Sequence, residues 1–290
     1  ISGQGEAKIA MLSVLIGAVL NICLDPLFIF VLHMGVRGAA VATVLSQAVS
    51  AIWVVHFLVS EKSVMRLTLK NMHLKKDVIK MIAGLGISPF IMQSTESLVT
   101  ITLNTGLQRY GGDLYVGSMS ILMSAMQFAM LPLQGLGQGA QPIISYNYGA
   151  GNKERVKATM KRMILVCLTG TLLLAGVAIF APQIYTGLFT DNKGLLELTC
   201  KVMPVYFLGI SIFGIQCACQ TSFISLGQAK VSLFIALLRK IILLIPLAVI
   251  LPKFMGVMGI YRAEPIADVI SVLTTSAVFI ITVKKVLRNM

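Results

Sequence analysis

Gly5-Glu6-Ala7-Lys8, followed later by Met34-Gly35-Val36-Arg37-Gly38, recurs as Gly227-Gln228-Ala229-Lys230, followed by Met255-Gly256-Val257-Met258-Gly259. The step from Gly5 to Gly227 is 222 residues and from Met34 to Met255 it is 221, so one deletion separates the two copies. Each copy places an apolar stretch between its landmarks and another after the second. A membrane chain duplicated on this scale points to a transporter, because substrate sites form where two repeats face each other. Upstream of Gly227 lie four further apolar segments, whereas only residues 1–4 precede Gly5, and Ile1 is not a start methionine. The repeat therefore predicts that the first four helices of copy one are missing from this chain.

Composition sets the class. Hydrophobic residues make up 57% of the 290 residues and charged residues 12%, with a mean hydropathy of +0.87. Soluble domains carry about 25% charged residues, so an integral membrane protein is expected. The net charge of +13 would suggest nucleic acid in a soluble chain. Here the basic residues cluster between apolar segments, which is how membrane proteins mark their cytoplasmic side, and no nucleic-acid partner is expected. The cysteines Cys23, Cys167, Cys200, Cys217 and Cys219 read as small packing residues. Cys217-x-Cys219 lacks the spacer and histidines of a zinc site.

A spanning helix needs roughly 20 mostly apolar residues. Eight segments qualify, at about 8–32, 37–59, 80–107, 114–144, 158–181, 197–224, 231–252 and 257–283. Several contain proline (Pro26, Pro89, Pro132, Pro204, Pro246, Pro265), tolerated where neighbouring groups re-satisfy the freed carbonyls, and a source of hinges. One set of loops holds Lys8, Lys62, Arg66, Lys70, Lys75, Lys76, Lys80, Lys153, Arg155, Lys157, Lys161, Arg162, Lys230, Lys284, Lys285 and Arg288. The opposite set holds Arg37, Arg109, Lys193, Lys201, Lys253 and Arg262, with Arg239 and Lys240 inside a segment and left out. This asymmetry puts the first set and the C-terminus in the cytoplasm. Six helices separate equivalent points of the copies, so both face the same way, as parallel repeats. The chain divides into 1–60, the end of one lobe; 61–79, a basic cytoplasmic linker lying on the headgroups; and 80–290, the other lobe.

The run Gly139-Ala140-Gln141-Pro142-Ile143-Ile144-Ser145-Tyr146-Asn147-Tyr148-Gly149-Ala150-Gly151-Asn152, with Arg155-Val156-Lys157, resembles the multidrug and toxic compound extrusion (MATE) family at its eighth-helix exit and cytoplasmic loop. Asn21-x-x-x-Asp25-Pro26-Leu27-Phe28-Ile29-Phe30 and Gly35-Val36-x-Gly38-Ala39-Ala40-x-Ala42-Thr43 look like its fifth and sixth helices, and Glu264-Pro265-Ile266-Ala267-Asp268 like its twelfth. The resemblance covers essentially the whole chain, as helices five to twelve of twelve, and is nearest the bacterial multidrug-efflux branch. It implies an all-α, polytopic membrane fold of two six-helix lobes, eight helices of which are present here. It also implies a bacterial inner-membrane location. Independently of the family, Gly149-Ala150-Gly151-Asn152 predicts a tight turn, Lys153–Lys157 a helix entry, and Tyr146 and Tyr148 interfacial anchors.

A carboxylate in hydrocarbon costs about 2.5–3.5 kcal/mol on insertion scales, so each asks for a purpose. Asp25 lies deep in its segment with Asn21 one turn earlier on the same face. A carboxylate beside an amide carbonyl suits Na⁺, the carboxylate alone can carry a proton, and a purely structural hydrogen bond is the plainer reading. Pro26 follows directly and is a candidate hinge. Family members with Asn-x-x-x-Asp in helix five use it for cation coupling, which the resemblance transfers to Asn21 and Asp25.

Glu96 sits in an unusually polar segment in which Gln93, Ser97, Thr100 and Asn104 recur on one face. Such a stripe faces a cavity or another helix. Glu96 resembles the seventh-helix glutamate that relatives use for cation or substrate. Its tenth-helix acidic partner in some branches is replaced here by Gln216 and Gln220. Glu264 and Asp268, one turn apart, either attract a cationic substrate or have one of their number neutralised by Arg262 or Arg239 as a structural ion pair. Met119, Met123, Met126 and Met130, with Gln127 nearby, form a stripe that reads either as core filling or as an adaptable wall for varied ligands.

No phosphate-binding loop is present, His33, His56 and His73 are scattered, and no serine–histidine pairing occurs. No enzyme, cofactor or metal centre is expected beyond Na⁺ or H⁺ at Asp25 and Asn21. The reading is a monomeric secondary-active exporter of lipophilic cations. Its rivals are a flippase for lipid-linked oligosaccharides, whose cavity would be richer in arginine and lysine, and a non-transporting receptor or scaffold.

Overall fold

The computed structural model describes residues 1, 6–61, 63, 66–67 and 75–288, and the side chains of 80–89 and 92 lie outside that description. The linker residues Lys62, Met65, Leu69, Lys70, Met72 and Leu74 also lie outside it. The described residues form ten α-helices and two short π-helical stretches. They fall into two compact units, Ile1–Lys80 and Met81–Met290.

The first unit is a helical hairpin of α1 (Ala7–Pro26) and α2 (Gly35–Val59). Pro26 ends α1, and having no N–H it cannot continue the i→i−4 ladder. The chain widens into a π turn over Leu27–Val31, with Leu32 N–H donating to Leu27 O at 2.9 Å and Met34 N–H to Phe28 O at 3.0 Å. Gly35 then takes φ +54° to start α2, and a Cβ at Gly38 would lie 2.7 Å from the Phe28 carbonyl oxygen. Ser50 Oγ donates to Ser13 O across the hairpin at 2.5 Å. Val14, Ile22 and Phe30 point outward and are exposed, the surface that lipid demands.

The second unit is built around α7 (Lys193–Ser225), which packs against α4 (Asp113–Gly149), α5 (Lys153–Phe180) and α10 (Val257–Arg288). Glycines permit the closest crossings. A Cβ at Gly214 would meet the Cys167 carbonyl oxygen at 2.3 Å, and one at Gly209 would meet Pro265 Cα at 2.6 Å. Leu103 and Leu107 of α3 (Lys76–Tyr110) join Met119, Leu122, Tyr206, Phe207 and Ile260 in one buried core. The copy-two hairpin runs through α8 (Ala229–Leu237), a π stretch over Leu238–Leu244, α9 (Ile245–Met255) and back along α10.

The second of the duplicated landmarks, Met34–Gly38 and Met255–Gly259, is duplicated backbone. Gly256 has φ +59°, and a Cβ at Gly259 would lie 2.6 Å from the Leu251 carbonyl, as Gly38 does against Phe28. Glycine is required twice for the same reasons: a left-handed turn and a helix approach too close for a side chain.

Seven helices among the described residues are long and apolar enough to cross a membrane, and the chain is a multi-pass membrane protein. The eighth expected segment, 80–107, is helical as α3 but does not count among these seven. Helix ends overrun several apolar segments: 114–144 becomes Asp113–Gly149, and 158–181 becomes Lys153–Phe180. Apolarity marks the hydrocarbon, and the helix continues into the interface beyond it. The short α6 (Pro182–Thr186) and both π stretches had no signal in composition. The expected turn at 149–152 is present: Gly151 takes φ +73°, and Asn152 Oδ1 caps α5 by accepting from Arg155 N–H at 3.2 Å. Tyr146 is 78% exposed, while Tyr148 packs partly against the neighbouring core.

Candidate functional site

Each unit carries one polar site. In the first, Asn21 Nδ2 donates to Asp25 Oδ1 at 3.1 Å and reaches Thr43 Oγ1 of α2 at 3.5 Å. Thr43 in turn donates to Ala39 O at 2.9 Å. Asp25 and Asn21 are half-buried, and Pro26 and its π turn follow at once. The helical i, i+4 spacing brings amide and carboxylate together as expected. The amide here presents its donor to the carboxylate, and its carbonyl would have to turn to serve a cation. A π turn beside a polar group is a frequent mark of functional sites.

The second site is a cavity of about 590 Å³ that continues into a hollow of about 310 Å³. Glu96, Met126, Met130, Gln134, Arg239 and Lys240 border both parts. Gln93, Met123, Gln127 and Glu264 line the larger one, and Gln216 and Gln220 the smaller. α3, α4, α7 and the π stretch before α9 supply the wall, with Glu264 from α10. Gln220 Nε2 donates to Ser232 O and Oγ at 3.0 and 2.9 Å. The Oε1 atoms of Gln216 and Gln220 are buried without a partner among the described residues. The smaller hollow is mainly apolar with a few convergent polar groups, the usual build of a small-molecule site, whereas the larger cavity is lined mostly by polar and charged side chains.

Two expected wall residues belong elsewhere. Asn104 lies with Thr105, Gln108 and Arg109 at a separate hollow, because two further turns of α3 carry it past the cavity. Asp268 is 0% exposed, behind the wall. Met119, also 0% exposed, is core, so the methionine stripe is wall only from Met123 onward.

The larger correction is electrostatic. Arg239 donates through Nε to Asp268 Oδ1 at 2.6 Å and through Nη2 to Glu264 Oε1 at 2.8 Å. Its guanidinium also lies 4.4 Å from the Phe213 ring centroid. Lys240, the next residue, points a quarter turn away and pairs with Glu96. The cavity is therefore not acidic, as Glu96, Glu264 and Asp268 alone suggested, but charge-paired. Of the two alternatives for Glu264 and Asp268, Arg239 pairing describes both. Lys240 was absent from the expected site; two adjacent cations inside the 231–252 segment were the signal, since an intramembrane charge is a functional candidate by default. Among the described residues no cluster of three or more histidine, cysteine, aspartate or glutamate side chains could hold a metal ion.

Comparison with known proteins places these features in a lineage. The chain is 27% identical over 265 residues to the multidrug export protein MepA of Staphylococcus aureus, an alignment covering 91% of this chain and 58% of that protein. The Staphylococcus haemolyticus MepA is also 27% identical, over 273 residues, 92% of this chain and 58% of that protein. The chain thus spans a little over half the length of these curated relatives. The fold is shared with an outward-facing multidrug resistance MATE family transporter of the MOP superfamily, at a TM-score of 0.89 and 20% identity, covering 97% of this chain and 64% of that one. It is shared at the same score and identity, covering 97% and 64%, with a MOP superfamily transporter from Pyrococcus furiosus whose binding pocket is described as of reverse polarity. The family model MatE matches residues 89–250, more than half of the chain. The chain belongs to the MatE family.

Proposed function

We propose that this chain works in a secondary-active multidrug exporter, moving lipophilic compounds outward against entry of H⁺ or Na⁺. The observation that carries the reading is the cavity of the second unit. It is walled by Met123, Met126 and Met130 and crossed by the Glu96–Lys240 pair. Methionine repacks around ligands of different shape. Glu96 is about half exposed, whereas Lys240 is largely covered. A lipophilic cation gains Glu96 by replacing Lys240, charge for charge, so cations are the favoured substrates. The MepA relatives, multidrug export proteins by name, agree with this class.

Coupling is assigned to Asp25. Only a site with different affinity in the two facing states of the carrier can link the fluxes. Asp25 stands where a proline-ended helix passes into a π turn, so a change of its charge acts on a backbone that already departs from α geometry. Asn21 and Thr43 complete the polar set. In this reading the protein acts as a monomeric carrier in the bacterial inner membrane, and the lysine and arginine asymmetry supports a cytoplasmic C-terminus.

Lys240 supports a second reading, a flippase for anionic lipid-linked precursors, since a phosphate could take the ammonium from Glu96. Arg239 adds little to it, because two carboxylates already hold the guanidinium. Efflux of a fluorescent lipophilic cation from vesicles holding the full-length protein, with a pH or Na⁺ gradient imposed, tests the first reading. Gradient-dependent efflux is expected. No cation efflux, with transbilayer movement of a labelled lipid diphosphate instead, would select the flippase.

A further inference from the structure

The charge cluster beside the cavity is one positive charge short. Lys240 pairs with Glu96 charge for charge, whereas Glu264 and Asp268, two negative charges, share the single guanidinium of Arg239. Away from water an uncompensated charge is costly. The shortfall has a definite address. Asp268 is 0% exposed, and Oδ1 takes the Arg239 guanidinium, while Oδ2 has no partner among the described residues. Glu264, by contrast, borders the cavity.

Asp268 also heads a buried polar stripe. Glu264, Asp268, Ser271 and Thr275 recur at i, i+4, i+7 and i+11, one face of α10, and Ser271 and Thr275 are both 0% exposed. Among the described residues their hydroxyls have no partner either. This is not the habit of the helix, for Thr274 and Ser276 each donate to the carbonyl four residues back at 2.8 Å. Nor is it the habit of the repeat. Ser50 occupies the position equivalent to Ser271, 221 residues earlier, and its hydroxyl is bound to Ser13 O.

We propose that Asp268 Oδ2 binds a proton, and that Ser271 and Thr275 carry a short water-bridged path linking that proton to the cytoplasmic half of α10. A protonated Oδ2 donates a hydrogen bond, and the next hydroxyl along the stripe is a free acceptor. Orphan oxygens spaced one turn apart are what bridging waters satisfy. Asp268 lies about 16 Å along α10, near the middle of a hydrocarbon core roughly 30 Å thick. The charged and titratable groups around it are Arg239 from the π stretch and Glu264 on α10, which shares that guanidinium, with Tyr206 and Cys217 on α7; Lys240 and Glu96 pair with each other at the cavity. Gly209 on α7 supplies the notch, since a Cβ there would lie 2.9 Å from Oδ2. This site is separate from Asp25. Its use as a second coupled proton rests on the efflux reading; the binding of the proton does not.

Infrared difference spectroscopy on the purified full chain in lipid nanodiscs, stepped between acidic and alkaline buffer, tests it without transport. A carbonyl stretch of a protonated carboxylic acid is expected, lost in Asp268→Asn and kept in Glu264→Gln and Asp25→Asn. The double variant Ser271→Ala/Thr275→Val should keep the band but slow its shift in D₂O about tenfold. Absence of the band from the unaltered chain at every pH, or its survival in Asp268→Asn, overturns the proposal. Should Asp268→Asn fail to fold, the double variant decides: exchange at the unaltered rate overturns it. Failure of the efflux reading would leave the band in place.

Discussion

The two hairpins share a backbone and divide the chemistry. Both use a left-handed glycine to turn, Gly35 and Gly256, and both lay a glycine against a carbonyl of the opposite helix, Gly38 and Gly259. On this common frame the polar positions have moved. Copy one places Asn21 and Asp25 where copy two has Leu243 and Leu247, and copy two places Arg239 and Lys240 where copy one has Gly17 and Ala18. On the return helix, Thr43 and Gln47 stand where Glu264 and Asp268 stand. Thr43 nevertheless keeps the role of its equivalent, meeting the polar group of the first helix. Copy one has a half-buried, lightly held carboxylate, and copy two a buried, heavily bonded cluster. Coupling is therefore proposed at the lightly held Asp25, while the Arg239 ion pairs hold the second hairpin together, the proton proposed at Asp268 Oδ2 lying outside those pairs.

The sharpest way to break this contrast is to remove Arg239. Arg239→Leu leaves Glu264 and Asp268 buried without their guanidinium and should cost about 3–5 kcal/mol, read as the unfolding midpoint in detergent. Arg239→Met/Glu264→Leu/Asp268→Leu should regain most of that, because an apolar replacement for a whole buried cluster is often neutral. A triple variant as unstable as the single would refute the triad as the source of the effect. The shared frame predicts equality: Gly38→Ala and Gly259→Ala each press a methyl onto a backbone carbonyl and should each cost about 1–3 kcal/mol. Tolerance at one site alone would show that the hairpins are not equivalent.

Smaller effects refine the division. Lys240→Ala frees Glu96 and should tighten binding of a fluorescent lipophilic cation about tenfold, roughly 1.4 kcal/mol, whereas Glu96→Gln should weaken it. Equal affinity in both variants would remove the pair from the substrate path. Asn21→Ala deletes one hydrogen bond and should alter stability by about 1 kcal/mol or less while impairing efflux. A large fall in stability would instead make copy one structural.

The frame was legible because glycine landmarks report backbone requirements, which a sequence carries directly. The i, i+4 meeting of Asn21 with Asp25 was legible because helix geometry alone sets it. The cavity was half legible: Glu96, Gln93, Met123, Met126, Met130 and Gln127 reach its wall, and so do Gln216 and Gln220. What lay beyond the sequence is pairing between helices. Whether Glu264 and Asp268 face substrate or Arg239 depends on how α10 is rotated against the π stretch, and periodicity holds no such information. The π turns escaped for a related reason, because widening a helix by one residue changes hydrogen bonding and leaves composition untouched.

The central claim is that Asp25 couples ion entry to export while the methionine-walled cavity binds the cargo. It is tested most directly by loading vesicles containing the full-length Asp25→Asn protein with a fluorescent lipophilic cation and imposing a pH or Na⁺ gradient. Unaltered dye binding with efflux lost is expected. Efflux at the rate of the unaltered protein would contradict it.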